Sequence, residues 1–211
     1  MKKIIVLFTA LLLALGAAAC GSGESQKPTA SGAKTESAAP SVKKGGKVLV
    51  VYFSGTGHTR SVAKTIAEAV HGDLWELQPV QPYTEADLNY RDKSSRVVKE
   101  HDTPSLQEQV ALTNAKPANW DTYSTVFIGY PIWWHLAAWP VKGFVKANAF
   151  SGKTVIPFAT SVESGMGESG TQLQQLAGTG TFGSGTWVEG KRFPSNVAAK
   201  DVQDWVYSLG L

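Results

Sequence analysis

The run Lys47-Val-Leu-Val-Val-Tyr-Phe53, followed at once by a glycine-containing loop and then by apolar residues at helical spacing, constrains the fold of this chain most tightly. A continuous β-branched and aromatic run suits a strand covered on both faces, as in a parallel sheet. The loop is Ser54 to Thr59, and Val62, Ile66, Ala69 and Val70 then form the inward stripe of an amphipathic helix that His71-Gly72 stops. The same alternation recurs. Asp73 to Gln78 alternates apolar with polar as an outer strand does, closed by Pro79 and Pro82, and a helix is expected around Ala86 to Glu100. Thr125 to Tyr130 is a second buried strand. An apolar loop, Pro131 to Trp139, leads from it into a helix with Pro140 in its first turn and Val141, Phe144 and Val145 inward. Thr154 to Ala159 is a third strand, in which Pro157 implies a strand end or a bulge. A short Gln-rich helix, a brief strand around Thr186 to Glu189 and a helix bearing Val202, Trp205, Val206 and Leu209 complete the chain. The expected fold is α/β: a three-layer, doubly wound, five-stranded parallel sheet with right-handed crossovers. Such sheets bind ligands beyond the carboxyl ends of their strands, where the strand order reverses.

This pattern occupies residues 47–211 and the preceding residues read differently. Met1-Lys2-Lys3, the apolar run Ile4 to Ala19 and the small residues before Cys20 have the layout of an export signal, and the run is short for a membrane span of roughly 18 or more residues. Leu15-Gly16-Ala17-Ala18-Ala19-Cys20 resembles the lipobox of bacterial lipoproteins, which implies lipidation of Cys20 and attachment to a membrane outside the cytoplasm. Ala17 stands where lipoboxes usually carry Leu, and an ordinary cut after Ala19 is the alternative. Residues 21–46 are Gly, Ser, Ala, Thr, Pro, Lys, Glu and Gln with Val42 the one large apolar side chain, so this stretch is expected to be a disordered tether. A flexible coil of that length reaches roughly 25–30 Å.

Charge and cysteine content exclude several functions for the domain. Six of the twenty Lys and Arg and two of the seventeen acids precede residue 47, so fourteen basic and fifteen acidic residues remain and the domain carries −1. That balance gives no electrostatic case for nucleic acid binding. Cys20 is the only cysteine, which leaves residues 47–211 without a thiol nucleophile, a Cys-ligated zinc or an iron–sulfur cluster.

Three loops lie at the carboxyl ends of the expected strands. Ser54-Gly55-Thr56-Gly57-His58-Thr59 offers hydroxyls, small glycines and the free N–H groups of a helix start, a nest for a phosphate. No Lys follows as in a P-loop and no Gly-x-Gly-x-x-Gly is present there, so the cradle suits a single phosphate monoester. In Gly129-Tyr-Pro-Ile-Trp-Trp-His-Leu-Ala-Ala-Trp-Pro140, three Trp at a strand end are too large to bury without a partner. A flat aromatic ligand would meet them by stacking, and a hydrophobic plug over the core is the alternative. His135 is a candidate proton donor or a solvated loop histidine, and His58 a backbone contributor. Thr160 to Gly170 contains Gly165-x-Gly167-x-x-Gly170, discounted as a dinucleotide fingerprint because it stands beyond the strand rather than immediately after it.

Ser54-x-Thr56-Gly57-x-Thr59 resembles the FMN-phosphate loop of flavodoxins, Gly129-x-Pro131-Ile132-Trp133-Trp134 the flavin-ring loop of one flavodoxin branch, and Thr160-Ser161-x-x-Ser164-Gly165-Met166-Gly167 that branch's third loop. The resemblance covers residues 47–211. It implies FMN as cofactor, held by Ser54, Thr56, Gly57, His58 and Thr59 at the phosphate and by Pro131, Ile132, Trp133, Trp134, Thr160, Ser161, Ser164, Gly165, Met166 and Gly167 around the ring. Glu163 departs from the branch, which often has a small residue there. The implied function is electron transfer or reduction of a small acceptor such as a quinone, with the redox partner open. A non-catalytic lipoprotein using the fold for another ligand or a protein partner is the alternative.

Overall fold

A computed structural model of the protein describes residues 45–177, 183 and 185–211. The expected signal segment with Cys20, the tether up to residue 44 and most of the glycine-dense stretch 178–184 lie outside the described residues.

Strand β1 (Lys47–Tyr52) is an inner strand of the sheet, and the chain is buried from Leu49 to Phe53. Helix α1 (His58–Val70) follows, with Val62, Ala63, Ile66 and Ala67 buried. Its stop is His71 itself, in the left-handed conformation (φ 49°), while the N–H of Gly72 returns to Ala67 O. β2 (Asp73–Glu76) is the outer strand on one edge. β3 (Tyr123–Trp133), β4 (Leu136–Ala137), α4 (Trp139–Ala147), β5 (Thr154–Ser161), α5 (Ser169–Ala177), β6 (Thr186–Trp187), β7 (Lys191–Pro194) and α6 (Ala199–Ser208) complete the domain. The order across the sheet is β2-β1-β3-β5-β6, all parallel, and β7 continues along β5 where β6 leaves off.

Alternation along each buried strand builds two cores. Leu49, Val51, Val126, Ile128, Tyr130 and Val155 face α4 and α5, meeting Val141, Phe144, Val145 and Leu173. Val50, Tyr52, Phe127, Ile156 and Phe158 face α1 and α6, meeting Val62, Ile66, Val202 and Val206. Each such aliphatic side chain contributes about 1.5–3 kcal/mol on burial, so the two layers together fix the sheet between its helices.

Pro157 lies inside β5, opposite Ile128 on β3, and the expected bulge is in its neighbour. Val155 faces Trp187 and Phe158 faces Lys191, so three steps on β5 span four on the outer strand. The N–H of Val188 donates to Val155 O, so Pro157, two residues on, directs its missing donor towards the outer strand. The ladder breaks where no N–H is offered. Gly190 is required there, since a Cβ would come within 2.6 Å of Pro157 O. The described end of the glycine-dense stretch has a similar cause: Gly185 has φ +75° and a Cβ on it would lie 2.9 Å from Lys153 O.

Two expectations change. The helix expected over 86–100 begins only at Arg96, as α2 (Arg96–Asp102), followed by α3 (Pro104–Gln107). Short polar side chains hold the preceding backbone in turns instead: Asn89 Oδ1 accepts from Arg91 N–H, Asp92 Oδ1 from Ser94 N–H and Ser95 Oγ from Val98 N–H. The apolar loop expected over 131–139 is a β-hairpin, because β3 runs on to Trp133 and pairs antiparallel with β4, Ile132 opposite Ala137.

Candidate functional site

The first loop turns on Gly57, whose φ of 92° admits no ordinary L side chain without strain and whose missing Cβ leaves open space. Ser54 Oγ accepts from the N–H of Gly57 at 3.0 Å and of Arg60 at 3.2 Å, which bends the chain into the helix. The N–H groups of Thr56, His58 and Thr59 have no acceptor among the described residues, and they stand at the positive end of a thirteen-residue helix. Arg60 is turned away into an ion pair with Glu76, which also accepts from Tyr52 Oη at 3.0 Å. Burial, then the Glu76 charge, pushes the Tyr52 hydroxyl up to about 12. Thr59 points inward: its hydroxyl lies 2.8 Å from that of Thr160, and both residues are buried. The first and third loops are therefore joined beneath the cradle.

The second loop is the β3–β4 hairpin, whose two central residues, Trp134 and His135, have φ of 46° and 64°. A two-residue turn with both φ positive is the type I′ geometry that usually demands Asn-Gly. Trp133 packs edge-on against Phe53, Tyr83 and Trp139 at 5.3–5.6 Å. Trp134 stacks on His101 at 4.3 Å and 22° and lies parallel to Trp139 at 6.4 Å. Trp139 is fully buried at the start of α4 and is the plug of the two readings above, whereas Pro131, Ile132, Trp133 and Trp134 are half-buried. His135 is exposed at the tip.

The third loop leaves β5 at Ser161. Ser161 Oγ donates to Ser164 O, and Ser169 Oγ donates to Met166 O at 2.7 Å and lies 3.1 Å from the buried Tyr130 hydroxyl. Gly165 is exposed with nothing near its missing Cβ, and Gly167 has φ +52° with its missing Cβ 3.8 Å from His135 O. The second and third loops thus touch. The Met166 side chain packs towards Gly170 and the core, leaving its backbone on the loop. Glu163 is exposed. Hydroxyls and free N–H groups from the first loop, an aromatic wall from the second and a polar, glycine-rich rim from the third are brought together at the carboxyl ends of β1, β3 and β5.

Comparison with known proteins agrees with this arrangement. A sequence model of the family described as Flavodoxin matches residues 47–209. The chain belongs to the flavodoxin family. Among solved structures, a Bacteroides eggerthii protein assigned as a flavoprotein is 39% identical, with a TM-score of 0.67 over 79% of this chain and 99% of that one. A Bacteroides uniformis protein with the same assignment is 38% identical, with a TM-score of 0.68 over 78% and 99% of the two chains. A flavoprotein of Lactobacillus acidophilus, solved in complex with FMN, shares the fold at 20% identity and a TM-score of 0.51, covering 70% of this chain and 93% of that one. The comparison with curated proteins found no match.

This flavodoxin-family chain also brings to the loops residues that its sequence did not single out. Tyr83, from the long connection between β2 and β3, packs on Phe53 and Trp133, and its hydroxyl donates to Glu100 Oε2 at 2.7 Å. Arg96 lies over the Tyr83 ring at 4.0 Å and donates to Glu100 Oε1 at 2.7 Å. Burial, then Glu100, raises the Tyr83 hydroxyl well above its ordinary value. Arg96 and Glu100 stand four apart on α2, a spacing visible in the sequence; their meeting with Tyr83 is not. Leu88 lies against Gly55, where a Cβ would come 3.0 Å from Leu88 Cδ1. An open groove of about 1010 Å³ beside this contact is lined by Gly55, Thr56, Thr84, Leu88 and Tyr90. A cavity of about 730 Å³ within the same connection, walled by Asp87, Ser95, Lys99 and Val110, shares no residue with the three loops.

Proposed function

We propose that this domain binds FMN across its three loops and acts as a redox protein outside the cytoplasm. The observation that carries the reading is the first loop: unpaired N–H groups of Thr56, His58 and Thr59, a side-chain-free Gly57 and no free cation are what a single phosphate monoester needs. The remaining loops fit the rest of the group. Trp133 and Trp134 supply stacking area and keep water from one side of a ring, while the hydroxyls and amides of Thr160, Ser161, Ser164, Gly165 and Gly167 supply polar contacts for its edge. Bound there, FMN supplies one- and two-electron redox chemistry; the chain holds it and sets its surroundings.

The near-neutral domain supports reduction of a small acceptor such as a quinone over docking to a strongly charged protein carrier. The signal layout and Cys20 support export and lipid anchoring of the chain, with residues 21–46 as the tether. Titration of purified full-length protein into FMN tests the cofactor. Quenched flavin fluorescence and a shifted visible band are expected, lost when Gly57→Val and Thr56→Trp fill the cradle. Fluorescence that stays at the value of free FMN would sink the reading and leave a binding protein for another ligand. Turnover of a quinone by the reconstituted protein, against stable reduction without turnover, separates reductase from carrier. Labelled palmitate recovered on the wild type and absent from Cys20→Ser tests the anchor.

A further inference from the structure

Arg192 stands on β7, outside the three loops, yet its side chain is spent on one of them. Nε–H donates to Ser161 Oγ at 2.8 Å, and Nη2–H donates to Ser161 O at 3.0 Å and Val162 O at 2.8 Å. Ser161 Oγ in turn donates its own O–H to Ser164 O, so one guanidinium braces the turn 161–164. None of the ion pairs among the described residues involves Arg192. Its position depends on the bulge. With the extra residue at 188–190 Arg192 pairs with Ala159, whereas continuing the β6 register would set Lys191 there and turn Arg192 to the opposite face. The proline in β5, the bulge it imposes and the arginine on the third loop form one causal chain.

We propose that Arg192 is a positioning residue for the cofactor site, its planar fork holding Ser161 and Ser164 in the conformation that receives the edge of the flavin ring. The proposal rests on the FMN reading above. Only a planar guanidinium presents its donors in this arrangement; an ammonium on the same stem is a point donor. A role through charge alone would therefore be filled by Lys, and a role through geometry would not.

The test compares Arg192→Lys and Arg192→Met with wild type in the full-length protein. Without FMN, backbone ¹⁵N order parameters at 161–165 are expected to fall from about 0.85 towards 0.6 in both variants, with those of β1 and β3 unchanged. FMN affinity, read by fluorescence, is expected to weaken about tenfold in both. Wild-type order parameters in either variant overturn the brace. Wild-type FMN affinity in Arg192→Lys overturns the geometric role, and in Arg192→Met any role in the site. Wild-type protein that binds no FMN overturns this proposal together with the function it rests on, while the order parameters still report whether the brace exists.

Discussion

The contact between Thr59 and Thr160 allows a quantitative test of how the first and third loops are coupled. Their hydroxyls lie 2.8 Å apart, the residues are 1% and 3% exposed, and neither hydroxyl has another partner among the described residues. Thr59→Val keeps the shape of the side chain, so no cavity forms, but it leaves the Thr160 hydroxyl buried without a partner. An orphaned buried hydroxyl costs roughly 1–3 kcal/mol, so each single variant, Thr59→Val or Thr160→Val, is expected to lose about 1.5 kcal/mol. The double variant removes both polar groups and is expected to lose under about 1 kcal/mol. The cycle should therefore depart from additivity by about 2 kcal/mol. Equilibrium urea unfolding of the FMN-free protein measures it, since bound cofactor would add its own stabilisation to every variant. Additivity within about 0.5 kcal/mol would refute the reasoning, because it would mean that the two hydroxyls do not satisfy each other.

Gly129→Ala is expected to destabilise by about 3 kcal/mol, because its Cβ would meet Phe158 Cε1 at 2.7 Å and Cζ closer still inside a packed layer; Phe158→Leu in the same chain should recover part of the loss in thermal melts. Arg96→Met is expected to cost about 3–5 kcal/mol by leaving the buried Glu100 carboxylate without its cation, and Arg96→Met with Glu100→Gln should cost less. Tyr52 and Tyr123 both titrate at about 12, through burial first and then Glu76 and Asp73 respectively. A hydroxyl whose folded value is raised stabilises fully below the unfolded value of about 10 and loses that contribution as pH rises to 12, so stability should fall across this window. Tyr52→Phe and Tyr123→Phe should flatten that fall in urea titrations at stepped pH.

The doubly wound sheet was legible because β1, β3 and β5 are unbroken apolar runs and the helices between them keep helical spacing, two periods that tertiary packing did not override. The first and third loops were legible because a phosphate nest and a polar rim depend on Ser, Thr and Gly, which local sequence displays. Elements fixed by distant partners were not. β7 begins Lys191-Arg192, charged residues that suggest a loop, and exists because β5 offers a free edge beyond the bulge. Tyr83 and Arg192 lie in stretches, Pro79 to Tyr83 and Gly190 to Phe193, that resemble the same flavodoxin branch, but neither they nor His101 display a site role locally; each reaches the loops from a distant part of the chain. The hairpin was hidden because its turn holds Trp-His where a type I′ turn ordinarily announces itself by Asn-Gly.

That turn separates the three Trp of the second loop by role. Holding two residues other than Gly in left-handed backbone costs of order 1–3 kcal/mol each, so something must compensate at the tip. The compensation lies in what Trp134 meets: its ring stacks on the His101 imidazole and lies nearly parallel to the Trp139 indole, and Lys142 Nζ lies over the Trp139 ring at 5.0 Å. Trp139, fully buried, is thus the floor on which the hairpin stands. On the FMN reading, a side chain already held by such packing has little freedom left to lose, so less ordering would remain to be done when the cofactor binds beside it. On that reading the strained tip and the aromatic stack beneath it serve one end: Trp133 and Trp134 would be set before the ligand arrives.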